Sequence, residues 1–198
     1  MLVANRANES TRNQNKIENP SIGNLQPQIG KVRLCRPSAS DAAAVHALID
    51  ECKPLDLNST YAYLLLCHHH SDTCVVAKVS DKVVGFISGY LLPRDPQVFF
   101  VWQVAVHPRA RGLQLGARML RHLIKRESAA ATRFMETTVS PSNEASRRMF
   151  QRFADEAGAR VEEEMLFDRD VFGAEEHEEE ALLKIGPFDM AALREEVE

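Results

Sequence analysis

No run of about 18 consecutive apolar residues occurs in the chain, so no segment reads as a membrane-spanning helix. Cysteine is sparse. Cys35, Cys52, Cys67 and Cys74 form no CxxC pair and read as reduced, mostly buried small side chains. Neither sign of charge dominates: 24 Lys and Arg stand against 28 Asp and Glu, a formal net charge of -4. That balance builds no field for nucleic acid or an anionic membrane. Absent too are a GxGxxG fingerprint and a GxxxxGK(S/T) loop, so neither a dinucleotide fold nor a nucleoside triphosphate site is expected. The opening residues lack the apolar middle of a secretory signal, and a cytoplasmic location is the expectation. His68, His69 and His70 lie near Cys67 and Cys74. Three adjacent helical side chains point in different directions, so no metal is expected there.

What is present suits one domain: 198 residues, 44% hydrophobic, enough to close a substantial core. Residues 1–30, rich in Asn, Gln, Arg and Glu, read as a disordered extension, 31–188 as the domain and 189–198 as a tail. Alternation predicts a strand over 31–36. Ser38 or Ser40 then caps a helix from 41 whose buried stripe is Val45, Leu48, Ile49 and Cys52, and Pro54 stops it. Asn58 or Ser59 caps a second helix over 60–69, with Tyr61, Leu64 and Leu65 on one face and Asp56 on the loop before it. Strands over 73–79 and 83–91 read as a hairpin, followed by a long strand over 98–106. A helix over 113–129, a strand over 133–139, a helix over 142–156 and strands over 161–168 and 180–185 complete the pattern. A sheet with helices on its faces, an α/β class, is the expected architecture.

The segment from Val104 to Leu120 concentrates the chemistry. A strand ends near Val106, Pro108 closes it, and a turn holding Arg109, Arg111 and Gly112 opens a helix with Leu115, Met119, Leu120, Leu123 and Ile124 as its stripe. Amides in the first helical turn lack internal partners and can hold a phosphate. Gly112 and Gly116 bring no Cβ into that space, and the arginines add forked donors. Physics alone allows either an anion site or a structural turn carrying surface arginines.

Val106-His107-Pro108, Arg111-Gly112 and Leu115-Gly116 together resemble the acetyl-CoA signature of the GNAT acetyltransferase superfamily. Ser140-Pro141-Ser142-Asn143 resembles that family's second cofactor segment. The resemblance implies a mixed, mostly antiparallel sheet flanked by helices, with two central strands splayed around the cofactor. It places acetyl-CoA, as co-substrate, on Val104, Val106, Arg111, Gly112, Gln114, Leu115, Gly116, Ala117 and Asn143. Two positions depart from the family pattern: Gln114 stands where glycine is common, and Phe150 where many members have a tyrosine that protonates the leaving thiolate. The strings at 55–61, 71–77, 100–106, 136–139 and 183–187 resemble the branch of the family that acetylates L-2,4-diaminobutyrate on its side-chain nitrogen, on the route to ectoine and hence in osmotic stress. A homodimer is a further implication, its surface on the late strands.

A diamino acid with two ammonium groups calls for carboxylates in its pocket. Asp56 and Glu163 are the expected anchors, and Glu163 also the expected proton relay; Glu175, Glu176 or His177 can reach the ligand as well. Asp56 reads equally as a loop or capping carboxylate. Trp102 is either a core residue or a pocket wall facing an ammonium, and Tyr61 packs at one end with a free hydroxyl at the other. Thr137 or Thr138 can donate a hydrogen bond, and the backbone N–H near Val104 is the expected oxyanion donor. His107 is expected on the loop surface, and Cys74 has no expected covalent role. The rival readings are an acetyltransferase for another amine and a non-catalytic acyl-CoA-binding module.

Overall fold

The computed structural model describes residues 32–173, 177–190 and 193. Seven strands form one sheet: β1 (Arg33–Cys35), β2 (Val75–Val79), β3 (Lys82–Leu92), β4 (Asp95–Val106), β5 (Phe134–Val139), β6 (Arg160–Phe167) and β7 (Glu180–Gly186). Their spatial order is β1-β2-β3-β4-β5-β7-β6, antiparallel throughout except where β4 meets β5. Four α-helices lie wholly within the described residues: α1 (Ala42–Asp50), α2 (Thr60–His69), α3 (Leu115–Ile124) and α4 (Glu144–Glu156).

The hairpin between β2 and β3 turns on Ser80 and Asp81 at φ 47 and 65, the double left-handed turn whose twist matches paired strands. The expected stripe of α1 is buried in full, and it meets Tyr63, Leu66 and Cys67 of α2 on one face of the sheet. On the other face α3 and α4 bury Met119, Leu120, Leu123, Ile124, Phe150 and Phe153 against Ile87, Phe99 and Met135. Each such side chain contributes about 1.5–3 kcal/mol by leaving water.

Two expectations change. The helix expected over 113–129 is confined to Leu115–Ile124, because Gly112 and Gln114 take positive φ before it. A separate short 3-10 turn, Glu127–Ala129, follows. In α2 the face shared by Tyr61, Leu64 and Leu65 points outward, with Tyr61 68% exposed. The inward face belongs to Tyr63, whose hydroxyl has partners inside while Tyr61 has a ring at the surface.

Candidate active site

The expected splay is built into the pairing of the central strands. β4 and β5 pair from Val98↔Phe134 to Val101↔Thr137. Beyond that point β4 keeps only β3 and β5 keeps only β7, so the sheet forks. At the apex β4 carries a bulge: Ser88 and Gly89 of β3 face Gln103 and Val101, leaving Trp102 between them without a partner. Trp102 is 47% exposed, which rules out the reading of it as a core residue.

The direction of the amides follows from the ladder. Antiparallel pairs alternate between bonded and non-bonded residues. His107 donates its N–H to the Val84 carbonyl at 2.9 Å, so Ala105 and Gln103 also bond to β3. Val104 and Val106 therefore turn their N–H and carbonyl groups into the fork. In agreement, the Val106 carbonyl accepts from the Cys52 thiol at 3.4 Å and from Arg111 Nε at 3.3 Å.

At the start of α3 the first intrahelical bond runs from Arg118 N–H to the Gln114 carbonyl, at 3.0 Å. The amides of Leu115, Gly116 and Ala117 precede it and have no helical acceptor, and Gln114 caps none of them through its side chain. At Gly112 (φ 78) the space a Cβ would occupy is open. Gly116 is small for another reason: a Cβ there would collide with Met149 of α4, so its absence serves helix packing. All nine residues expected to hold the cofactor line one cleft of about 600 Å³, between the fork, the start of α3, and Asn143 at the start of α4. The loop Cys52–Leu55 forms a further wall, and Ser146, Arg148 and Arg152 add donors that the sequence reading had not singled out. Asn143 uses its side-chain oxygen to cap α4, accepting from Ser146 N–H at 3.1 Å. Phe150 is buried in the core between helices and sheet.

A second group of side chains gathers beside the fork. Thr138, one step past the last β4–β5 pair, faces the same side of the sheet as Glu180 of β7. Burial pushes the Glu180 carboxyl above the ordinary carboxylate range, partly offset by the Thr138 hydroxyl and the nearby His177. His177 Nε2 lies 3.8 Å from Asp56 Oδ2, and Nδ1 lies 2.6 Å from the Glu178 carbonyl. That carbonyl, with Glu180 and Asp56, raises the affinity of His177 for a proton, against the opposing effect of burial. Glu178 accepts from Ser142 N–H and Oγ at 3.2 and 2.7 Å, tying this segment to the start of α4. Glu180 was expected only as the first residue of a strand. Its acid neighbours in sequence hide it, and only a half-buried position distinguishes it.

Glu163 does not join this group. It pairs on β6 with Leu183, a core residue beneath α3 and α4, whereas Thr138 pairs with Leu182. Successive strand residues point to opposite faces, so Glu163 and Thr138 lie on opposite sides of the sheet. Arg147 of α4 binds Glu163 at 2.8 Å and holds its carboxyl below the usual range, which suits neither a substrate anchor nor a proton acceptor. His107 is not on the loop surface: it is buried, 3.2 Å from Glu51 Oε2, and accepts from Arg109 N–H at 3.2 Å. Glu175 and Glu176 lie outside the described residues. Burial lifts the Cys74 thiol to about 12, so it is no nucleophile near neutral pH. Among the described residues no group of three or more His, Cys, Asp or Glu is placed to hold a metal ion, and no helix is long and apolar enough to cross a membrane.

A forked sheet, unpaired amides where a helix begins, and a cleft joining the two define a coenzyme A-type acyltransferase scaffold. Residues 42–154 match the acetyltransferase (GNAT) family, and the chain belongs to it. It is 53% identical over 171 residues to an L-2,4-diaminobutyric acid acetyltransferase of Bordetella parapertussis, covering 85% of this chain and 92% of that one. It is 43% identical over 157 residues to an enzyme of the same name from Methylotuvimicrobium alcaliphilum, covering 79% and 91%. Among solved structures it resembles the diaminobutyrate acetyltransferase of Paenibacillus lautus in complex with its substrate L-2,4-diaminobutyric acid and coenzyme A. There the TM-score is 0.77 at 39% identity, over 84% of this chain and 98% of that one.

Proposed function

We propose that the protein transfers the acetyl group of acetyl-CoA to the side-chain (N4) amine of L-2,4-diaminobutyrate, a step toward ectoine and so toward tolerance of osmotic stress. The observation that carries the reading is the fork between β4 and β5, with unpaired amides and arginines on its cofactor side and Asp56, Thr138, His177 and Glu180 beside its apex. In the reaction the thioester C–S bond breaks, an amide C–N bond forms, the amine loses a proton and the thiolate of coenzyme A gains one.

The residues divide this work. Leu115, Gly116 and Ala117 offer backbone donors to the pyrophosphate, and Arg111 adds positive charge. The N–H of Val104, turned into the fork, faces the oxygen that gathers charge as the amine attacks. Asp56 and Glu180 hold the substrate's ammonium groups, and Trp102 presents its ring to the same cation. Glu180 is the proton acceptor, since burial raises its affinity for a proton. Tyr61, on the first turn of α2 after the Asp56 loop, keeps its hydroxyl available to the substrate. Alignment of amine and thioester supplies most of the acceleration, so no covalent acetyl-enzyme is needed.

The exposed Met165, Leu166, Phe167 and Val171, on the edge strand β6 and the turn after it, support a homodimer through this face. Light scattering on the parent and on Phe167→Glu tests it: a dimer that dissociates in the variant is expected, and a monomeric parent refutes it. We place the enzyme in the cytoplasm. The function is tested by thiol release from acetyl-CoA with diaminobutyrate and NMR of the product. Acetylation of N4 is expected, with turnover much reduced for 1,3-diaminopropane, which lacks the carboxylate; acetylation of the α-nitrogen, or equal use of both amines, overturns it.

A further inference from the structure

Asp56 is held in place by very little of its own. Its side chain is 84% exposed, and its near neighbour is a histidine at 3.8 Å. The backbone around it is fixed much more firmly. Gln103, next to the bulged Trp102 on β4, is only 5% exposed and donates Nε2 to the Asp56 carbonyl at 2.8 Å. Its side-chain oxygen accepts from the Tyr63 hydroxyl at 3.4 Å. The same hydroxyl accepts from Asn58 N–H at 3.2 Å. A buried amide must find its partners inside the protein. Gln103 finds them in a surface loop, one directly and one through Tyr63, on either side of Leu57. The loop's carbonyl and amide could have been left to water, so the network serves their position more than their satisfaction.

We propose that Gln103 is a positioning residue for the amine substrate: through its bond to the Asp56 carbonyl and its contact with Tyr63, it sets where the Asp56 carboxylate stands relative to Trp102 and the fork. The inference rests on the reading of Asp56 as an ammonium anchor. Gln103 and the anchor both depend on the apex of the fork, so the bulge that exposes Trp102 also places the residue that aims Asp56. The stretch just upstream, which walls the cofactor cleft, has its own attachment through the Cys52 thiol on the Val106 carbonyl. The clamp therefore acts on diaminobutyrate and leaves acetyl-CoA alone.

The test compares steady-state kinetics of Gln103→Met, Tyr63→Phe, Asp56→Asn and the double variant Gln103→Met/Asp56→Asn. Gln103→Met is expected to raise KM for diaminobutyrate about 2- to 10-fold, the range set by one hydrogen bond, with KM for acetyl-CoA unchanged. Tyr63→Phe removes one oxygen from a fully buried ring and gives a smaller shift of the same kind. Should Gln103→Met not fold, it carries the test alone. In the Asp56→Asn background the further change at Gln103 is expected to add nothing. Additive effects, equal rises in both KM values, or a parental KM in Gln103→Met and Tyr63→Phe overturn the proposal. Asp56→Asn with a parental KM for diaminobutyrate removes the anchor itself and the clamp with it, an outcome distinct from a working anchor that ignores Gln103.

Discussion

Replacing Gln114 with glycine is expected to make this enzyme more stable without changing its grip on acetyl-CoA. Gln114 stands at φ 56 and ψ 18, directly before α3. The left-handed conformation costs an L residue roughly 1–2 kcal/mol and glycine essentially nothing. Glycine returns roughly 0.4–1 kcal/mol of that by gaining freedom in the unfolded chain. The difference leaves Gln114→Gly about 0.5–1 kcal/mol more stable. At roughly 2–4 °C per kcal/mol for a domain of this size, Tm rises by about 1–4 °C. Gln114→Ala is the control, because it removes the same side chain but keeps the strained backbone; its stability stays within about 0.5 kcal/mol of the parent. The side chain caps no amide of α3, and the donors of Leu115, Gly116 and Ala117 are untouched. KM for acetyl-CoA should therefore stay within about twofold of the parent. Calorimetric Tm values and thiol-release kinetics decide the matter. A glycine variant that melts at or below the parent, or an alanine variant that gains as much, refutes the reasoning.

Arg111→Ala is expected to raise KM for acetyl-CoA about 10-fold or more, the scale of a charge-assisted hydrogen bond, and to leave KM for diaminobutyrate alone; an unchanged cofactor constant removes Arg111 from the site. Because burial raises the Glu180 carboxyl, kcat/KM for diaminobutyrate should fall on the acid side at a pH above the ordinary carboxylate range. Thr138→Val removes the hydroxyl that lowers Glu180 and should move that limb to higher pH, while Glu180→Gln should abolish it; a limb that persists in Glu180→Gln assigns it to another group. Asp41→Asn should cost about 3 kcal/mol at pH 7, because it breaks the nearly buried pair with Lys78. Burial alone would raise the Asp41 carboxyl, but its bonds to Lys78 and Ser38 outweigh that and lower it below 3.8. Its contribution is therefore present above the unfolded pKa and lost as pH falls through the folded one, so in urea titrations the gap between parent and variant should start to narrow below about pH 4 and close only below the folded pKa. A gap that persists there contradicts the assignment.

Local chemistry made much of this protein legible before any coordinates. Apolar spacing marked α1 and α3, a capping residue expected at Asn58 or Ser59 is found at Ser59 before α2, and a positive-φ turn at Ser80 and Asp81 matched the expected hairpin. The cleft proposed for the cofactor was legible because its parts are consecutive: strand end, turn and helix start lie within residues 104–117, and Asn143 opens a motif of its own. The fork could be foreseen only through resemblance, since a strand's own residues do not say where its neighbour stops pairing.

Tertiary structure decided the amine side. Alternation correctly set Glu163 apart from Glu162 and Glu164, yet a period of two cannot say which face is which. That depended on β7 inserting between β5 and β6, which turned Glu163 toward Arg147 and brought Glu180 beside Thr138. In α2, hydrophobicity alone did not separate Tyr61 from Tyr63; the partner waiting for one hydroxyl, Gln103, lies forty residues on. Sequence determines what each segment prefers to be. Long-range pairing determines which of its side chains meet.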